Sequence, residues 1–204
     1  MPNGTGHDAV YAARVIAIRR AAPMTTSSTT SPTARPPLPA VRLRVPTDED
    51  AHAWHHVFDD TDVMEFLGGP AEPSVYEEIT ARQRMHDAQL GYCLWTLLDE
   101  EGEVLGFTGA QPWPEAKAWG PVGRIEIGWR LGRAAWGKGY AYAAALATLE
   151  RLRGAGVGRV CAVIDVRNAR SVAVAERLGM TPGEELAAPG GRRTRLYELT
   201  LDGA

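Results

Sequence analysis

Cysteine occurs only twice in the 204 residues, as Cys93 and Cys161, each inside a strand-like apolar stretch. That scarcity excludes a disulfide-stapled scaffold and a cysteine-built zinc site; two reduced core thiols are expected, and a single disulfide stays open. The five histidines offer no metal pattern either. His55 and His56 are adjacent, His52 with His56 is the one helical i, i+4 pair, and no third ligand is near, so no metal is expected. Nowhere does an apolar run approach the ~20 residues of a membrane span, and the expectation is a cytoplasmic protein without a membrane partner. A dominant charge is lacking as well: 22 Lys and Arg against 25 Asp and Glu leave a net charge of -3. Such a balance gives no general attraction for nucleic acid. Internal repeats are absent.

What is present divides into two materials. Residues 1–38 carry the hydroxyl- and proline-rich run from Met24 through Thr25 to Pro39, which cannot build a core and is read as a disordered extension. Within it, residues 8 to 22 show a short basic amphipathic pattern on Val10, Ala13, Val15 and Ile18, without the features of a secretory signal. Met24 is an alternative start, which would leave residues 1–23 untranslated. The full chain is 45% hydrophobic, and residues 39–204 suffice for one sizeable core.

The periodicity of that part predicts a strand over Val41 to Val45, then a helix capped by Thr47 and running through Trp54 and Phe58. A second helix is expected over Ser74 to Ala88, with Ser74 as its cap and Tyr76, Ile79 and Met85 on its apolar side. Strands over Tyr92 to Leu98 and Val104 to Gln111 are joined by the turn Asp99-Glu100-Glu101-Gly102. Further strands are expected at Arg124 to Leu131, 159 to 165 and Arg193 to Leu201, and a helix at 170 to 178. Together they predict a mixed α/β domain.

The most informative stretch is Glu126-Ile127-Gly128-Trp129-Arg130-Leu131, followed by Trp136-Gly137-Lys138-Gly139-Tyr140-Ala141 and an Ala- and Leu-rich run to Arg153. It reads as a strand entering a glycine-opened helix that Gly154 and Gly156 stop. The first turn of a helix has unpartnered amides and the positive end of the peptide dipoles, which suits a phosphate. Glycine at 137 and 139 keeps side chains away from those amides. A tight turn packing the helix on a sheet is the alternative. Neither a Walker A loop nor a dinucleotide fingerprint fits: Lys138 sits between the glycines with no hydroxyl residue behind it, and Gly137, Gly139 and Tyr142 break the Gly-x-Gly-x-x-Gly spacing.

A second element, Asp165 to Met180, follows the apolar run Val160 to Ile164 and contains Asn168, Ser171 and Glu176-Arg177-Leu178-Gly179-Met180. The pair of elements resembles the GNAT superfamily of acyl-CoA N-acyltransferases, and within it the branch of ribosomal-protein alanine acetyltransferases of the RimJ/RimL type. That branch shows Glu-Ile-Gly-aromatic, Trp-Gly-Lys-Gly-Tyr-Ala, Asn-x-x-Ser and Glu-Lys-Leu-Gly-Phe. The departures are Arg177 for Lys and Met180 for Phe, and Trp136 stands where the superfamily usually has Gln or Arg. The resemblance runs from about Val41 to the C-terminus. It implies a mostly antiparallel sheet with splayed central strands flanked by helices, acetyl-CoA as co-substrate, and direct transfer of an acetyl group to a primary amine, either a protein N-terminus or a small molecule. Homodimerisation is compatible with the branch.

By the resemblance, Trp129, Arg130 and Leu131 hold the pantetheine arm along a free strand edge, and the amides of Trp136, Gly137, Lys138, Gly139, Tyr140, Ala141 and Tyr142 hold the pyrophosphate. Lys138 adds charge there or is simply solvated. Asn168 and Ser171 match the pair beside the pantetheine and sulfur, with Ser171 as proton donor to the thiolate; capping of the next helix is their other role. No tyrosine occupies that helix to act as the acid. Glu126 is the candidate general base, a carboxylate in an apolar strand whose burial raises its pKa. Its alternative is an ion pair with Arg124 or Arg130, or an anchor for the substrate. For the acceptor, Asp59, Asp60, Asp62, Glu65, Trp113, Trp119 and Tyr197 are the candidate lining, and their acids would draw a cationic amine. Two other classes compete: a non-catalytic CoA sensor, and a nucleotide-binding module that ATP would occupy.

Overall fold

The structure is a computed structural model that describes residues 37–201. The readings made on residues 8 to 22, on Met24 and on the proline-rich run to residue 36 lie outside the described residues.

Seven strands make one sheet in the order β1-β2-β3-β4-β5-β7-β6. They are β1 (Arg42–Arg44), β2 (Leu94–Leu98), β3 (Val104–Pro112), β4 (Ile125–Leu131), β5 (Arg159–Asp165), β6 (Thr181–Ala188) and β7 (Arg192–Thr200). Every neighbouring pair is antiparallel except β4 and β5, which run parallel. The helices are α1 (Glu49–Phe58), α2 (Thr61–Met64), α3 (Pro73–Leu90), α4 (Tyr140–Gly154) and α5 (Ala169–Arg177).

Strand alternation sends successive side chains to opposite faces. On β2 and β3, Leu94 and Phe107 join Trp54, Phe58 and Tyr76 of α1 and α3, whereas Trp95 and Ala110 join Leu149 and Leu152 of α4. The sheet is thus covered by α1 to α3 on one face and by α4 and α5 on the other. Asp50, in the first turn of α1, ties the first layer together. It accepts from Arg44 Nη2 at 2.8 Å, the Thr47 amide at 2.8 Å and Thr96 Oγ1 at 2.9 Å, and so links β1, α1 and β2.

Several boundaries differ from the sequence expectation for local reasons. Asp48 stands directly before α1 with helical dihedrals and no side-chain cap bond, while the Thr47 amide donates to the Asp50 carboxylate three residues on, as one half of a capping box does. On α3 the cap position is Glu72, with Pro73 opening the helix where a missing N–H costs nothing, so Ser74 lies inside it. The buried stripe of α3 is Tyr76, Thr80 and Gln83, at i, i+4, i+7, and Met85 is 56% exposed. The short helix α2 is capped by Asp60, whose Oδ1 accepts from the amides of Asp62 at 2.8 Å and Val63 at 3.2 Å. Strand β6 was not expected from the sequence: Thr-Pro-Gly-Glu-Glu has neither alternation nor β propensity. It pairs all the same as an edge strand with a register shift between Pro182 and Glu185. The Glu-Arg-Leu-Gly-Met segment has a structural role. Gly179 at φ 80° ends α5, its amide bonded to Glu176 O and the Met180 amide to Ala175 O, both at 3.0 Å, and buries Met180. Cys93 and Cys161 are both free and buried.

Candidate active site

The site follows from one irregularity in the sheet. Toward β3, strand β4 is paired from Ile125 to Leu131, but toward β5 the parallel register holds only at Glu126 and Cys161. Beyond that rung the two strands part, and residues 127 to 131 present an unpaired backbone edge to the gap. Backbone groups in such an edge need a polar partner.

On the α4 side the gap opens into a cavity of 380 Å³. Of the residues expected at the coenzyme, Trp129, Arg130, Leu131, Trp136, Gly137, Gly139, Tyr140, Ala141, Tyr142, Asn168 and Ser171 line it, and Lys138 does not. Lys138 is exposed on the outside of the loop. Gly137 and Gly139 both hold positive φ, 72° and 87°, a conformation that strains other residues by about 1 kcal/mol or more. The amides from Gly137 to Tyr142 have no protein acceptor among the described residues; the first helical bond is Ala143 N–H to Gly139 O at 3.0 Å. A row of free donors at the positive end of a 15-residue helix therefore faces the opening. Trp136 fixes the loop: its indole Nε1 donates to Leu131 O at 2.8 Å, and Arg170 covers its ring at 4.0 Å. The Leu131 carbonyl is thereby engaged within the protein, and the Arg130 main chain faces β3, which leaves Trp129 as the open part of the edge.

Asn168 caps α5, its Oδ1 accepting from the Ser171 amide at 3.1 Å. The cap is made by Asn168 alone, so the Ser171 hydroxyl is available to the cavity.

Beyond the fork lies a second cavity of 270 Å³ that contains Glu126. Phe66, Leu67, Trp129, Arg130, Asn168 and Ser171 belong to the walls of both, so the two communicate through the gap in the sheet. Phe66 roofs the junction. Its carbonyl accepts from Arg192 Nη1 at 2.7 Å, and its ring lies under Arg167 at 5.4 Å, which joins the turn after α2 to the β5-β7 half of the sheet.

Glu126 is held at one end of a chain of amides. The Leu94 N–H donates to Gln83 Oε1 at 2.9 Å, and Gln83 Nε2 donates to Gln111 Oε1 at 2.9 Å. The Gln111 amide in turn neighbours the Glu126 carboxylate across the β3–β4 pair and favours its ionised form. Burial pushes the Glu126 carboxyl up from 4.5 to about 7, against the pull of Lys117, Gln111 and Arg130. Arg130 is enclosed too: its guanidinium lies 5.2 Å from the ring centres of both Phe58 and Phe107, and its Nε has no acceptor. Burial lowers its pKa, offset by Tyr76 and Glu126. The alternative pairing of Glu126 with Arg124 does not occur; Arg124 instead pairs with Glu198.

The expected acidic lining takes no part in the Glu126 cavity. Asp60 is used as a helix cap, Asp62 pairs with Arg133 and lines the α4 cavity, Asp59 and Glu65 are exposed, and Tyr197 is in the core. Trp113 and Trp119 do line the Glu126 cavity, as do Gln111, Lys117 and Arg192, which sequence reasoning did not single out. The aromatic-rich segment Trp113 to Trp119 was the available signal. Among the described residues no group of three or more His, Cys, Asp and Glu side chains is placed to hold a metal ion.

A forked sheet with a helix start on one side and an enclosed carboxylate on the other gives the molecule two connected cavities across a strand edge. Residues 40–181 match the acetyltransferase (GNAT) domain family. The protein from Bacillus subtilis (strain 168) called "Uncharacterized protein YkkB" is 33% identical over 143 residues, covering 69% of this chain and 81% of its own. The chain belongs to the GNAT acetyltransferase family and is an acetyl-CoA-dependent N-acetyltransferase. Among solved structures it resembles a putative GNAT-family acetyltransferase from Bordetella pertussis, with TM-score 0.64, 24% identity, and 76% of this chain and 93% of that one covered. It also resembles yncA, a putative acetyltransferase from Salmonella typhimurium, with TM-score 0.62, 19% identity, and coverage of 81% and 96%. These two likenesses concern the fold.

Proposed function

We propose that the protein transfers acetyl directly from acetyl-CoA to a primary amine, both bound at once, with the donor in the α4 cavity and the acceptor in the Glu126 cavity. The observation that carries this reading is the continuity of the two cavities through the fork at Glu126. The Salmonella typhimurium neighbour was solved with its cofactor acetyl-CoA, which supports a thioester donor; bound there, it supplies an activated acyl carbon. The free amides of Gly137 to Tyr142 bind pyrophosphate oxygens, and the open edge at Trp129, with the Asn168 side-chain amide, binds the pantetheine amides, while Arg130 contributes its side chain to the wall. Trp136 acts by shaping this loop. Lys138, being on its outer surface, contributes at most long-range charge.

Glu126 takes the proton from the substrate ammonium, directly or through one water. A carboxyl near pKa 7 is a base matched to neutral pH. As the carbon–nitrogen bond forms and the carbon–sulfur bond breaks, the Ser171 hydroxyl donates its proton to the departing sulfur and regains the second proton that the acylated nitrogen loses, directly or through water. The motifs quoted above favour the RimJ/RimL-type branch, a cytoplasmic enzyme and an acceptor that is a protein N-terminus or a small amine; residues 39–204 are the transferase domain and residues 1–38 an extension. Initial velocities with acetyl-CoA and an amine varied together test the direct route. Intersecting double-reciprocal lines with thiol release are expected; parallel lines, or an acetylated enzyme isolated without acceptor, would overturn it.

A further inference from the structure

The Glu126 cavity holds more positive charge than its own carboxylates balance. Lys117, Arg130 and Arg192 line it together with the acids Glu126 and Asp165. Asp165 is already matched: it accepts from Arg167 Nε and Nη2 at 3.0 Å. None of the three cations makes an ion pair with a carboxylate among the described residues. Arg130 cannot shed its charge, and its buried Nε lacks an acceptor while two phenyl rings cover the guanidinium. Such a group is costly to bury unless an anion meets it. Arg192 donates Nη1 to Phe66 O and lines the cavity.

Lys117 is placed by design of its loop. Trp113 Nε1 donates to Lys117 O at 2.7 Å, the Trp113 and Trp119 rings meet edge to face at 5.0 Å, and the ammonium lies 5.7 Å from the Trp113 ring centre. Gly120 is required for this arrangement, because a Cβ there would come within 2.1 Å of the Trp113 ring. Lys117 and Glu126 line the same 270 Å³ cavity, so a short ligand reaches both.

From this charge distribution we infer that the acceptor is a small amine carrying its own anionic group, a carboxylate or phosphate, a few bonds from the nitrogen. The amine meets Glu126, and the anion meets Lys117 with Arg130 and Arg192. This rests on the transferase reading and narrows it: a polyamine or aminoglycoside brings only positive charge to a cavity that already has an excess. During transfer the substrate ammonium gives one proton to Glu126, the nitrogen gains the acetyl carbon and loses a second proton that replaces the one Ser171 passes to the sulfur, the sulfur leaves with the carbon–sulfur bonding pair, and the anionic group is unchanged.

The test uses the full chain with saturating acetyl-CoA and matched acceptors: phenylalanine and glutamate each against its primary amide, phosphoethanolamine against ethanolamine, and spermidine and kanamycin as purely cationic amines. At least one anionic member should exceed its neutral partner in kcat/KM by about tenfold or more, although the amides have the more readily deprotonated amine. Which pair shows it distinguishes carboxylate from phosphate. Lys117→Gln and Arg192→Gln should each raise KM for that acceptor about three- to tenfold with little change for its neutral partner, and Lys117→Arg should restore it. Equal or better turnover of neutral and cationic amines, or variants that affect both members of a pair alike, would overturn the inference and leave the transferase standing. Absence of thiol release with every acceptor would overturn both.

Discussion

The two cavities that meet at the fork are made of different material. The α4 cavity is built from main chain: amides at a helix start, glycines at positive φ and an unpaired strand edge. The Glu126 cavity is built from side chains brought from β2, β3, the Trp113 loop, β4, β5 and β7. Backbone geometry serves any ligand with the same diphosphate and amide arm, whereas side chains can be exchanged one at a time. The division therefore allows acceptor choice to vary while the donor is kept.

If the division is correct, changes on one side should leave the other nearly untouched. The largest effect is expected from Glu126→Gln, which keeps shape and the Gln111 contact but removes the base: kcat should fall about 10²- to 10⁴-fold with acetyl-CoA affinity by calorimetry unchanged. Next is the dependence of stability on pH. Because the folded carboxyl is raised from 4.5 to about 7, the folded state binds the proton more tightly, so stability is greater at low pH and falls as pH rises across that window. The loss is about 3 kcal/mol at most, and Glu126→Gln should flatten the curve in urea melts at pH 5 and 8. In the same window the wild-type kcat/KM should rise with pH, as the free base forms.

Ser171→Ala tests the junction itself. Since Asn168 makes the cap through the Ser171 amide, the fold should be unaffected and kcat should drop about tenfold, with the coenzyme KM nearly constant. Gly137→Ala probes the α4 side alone: the left-handed backbone at φ 72° should cost about 1 kcal/mol, read as a several-fold rise in KM for acetyl-CoA and little change for the amine. The smallest effect is expected from Gln111→Leu. It withdraws an amide that favours the ionised Glu126, so the acid limb of the pH profile should move upward. A merely structural glutamine would lower activity without moving the limb.

The same division explains what the sequence disclosed. The α4 cavity was readable because its chemistry is local: Trp136 to Ala141 fold on themselves, and Asn168 and Ser171 sit in one turn. Glu126 was readable as a carboxylate in an apolar strand. Gln83 was not, since a glutamine on a helix looks solvated until β2 and β3 arrive to meet both ends of its amide. Lys117 and Arg192 depend likewise on contacts distant in sequence. The acids between Asp59 and Glu65 suggested the opposite charge because capping by Asp60 and pairing of Asp62 with Arg133 are invisible in composition. β6 escaped notice because an edge strand can form on its partner's hydrogen bonds alone.

The single rung between Glu126 and Cys161 makes the sheet two leaves that share a spine at the very residue proposed to move the proton. A donor laid along the open strand supplies the rungs the protein omits, so occupancy of one leaf should be felt by the other: hydrogen exchange in β5 and β7 should slow together with that in β4 when acetyl-CoA is added. The enzyme would then be most firmly one body only while it is loaded.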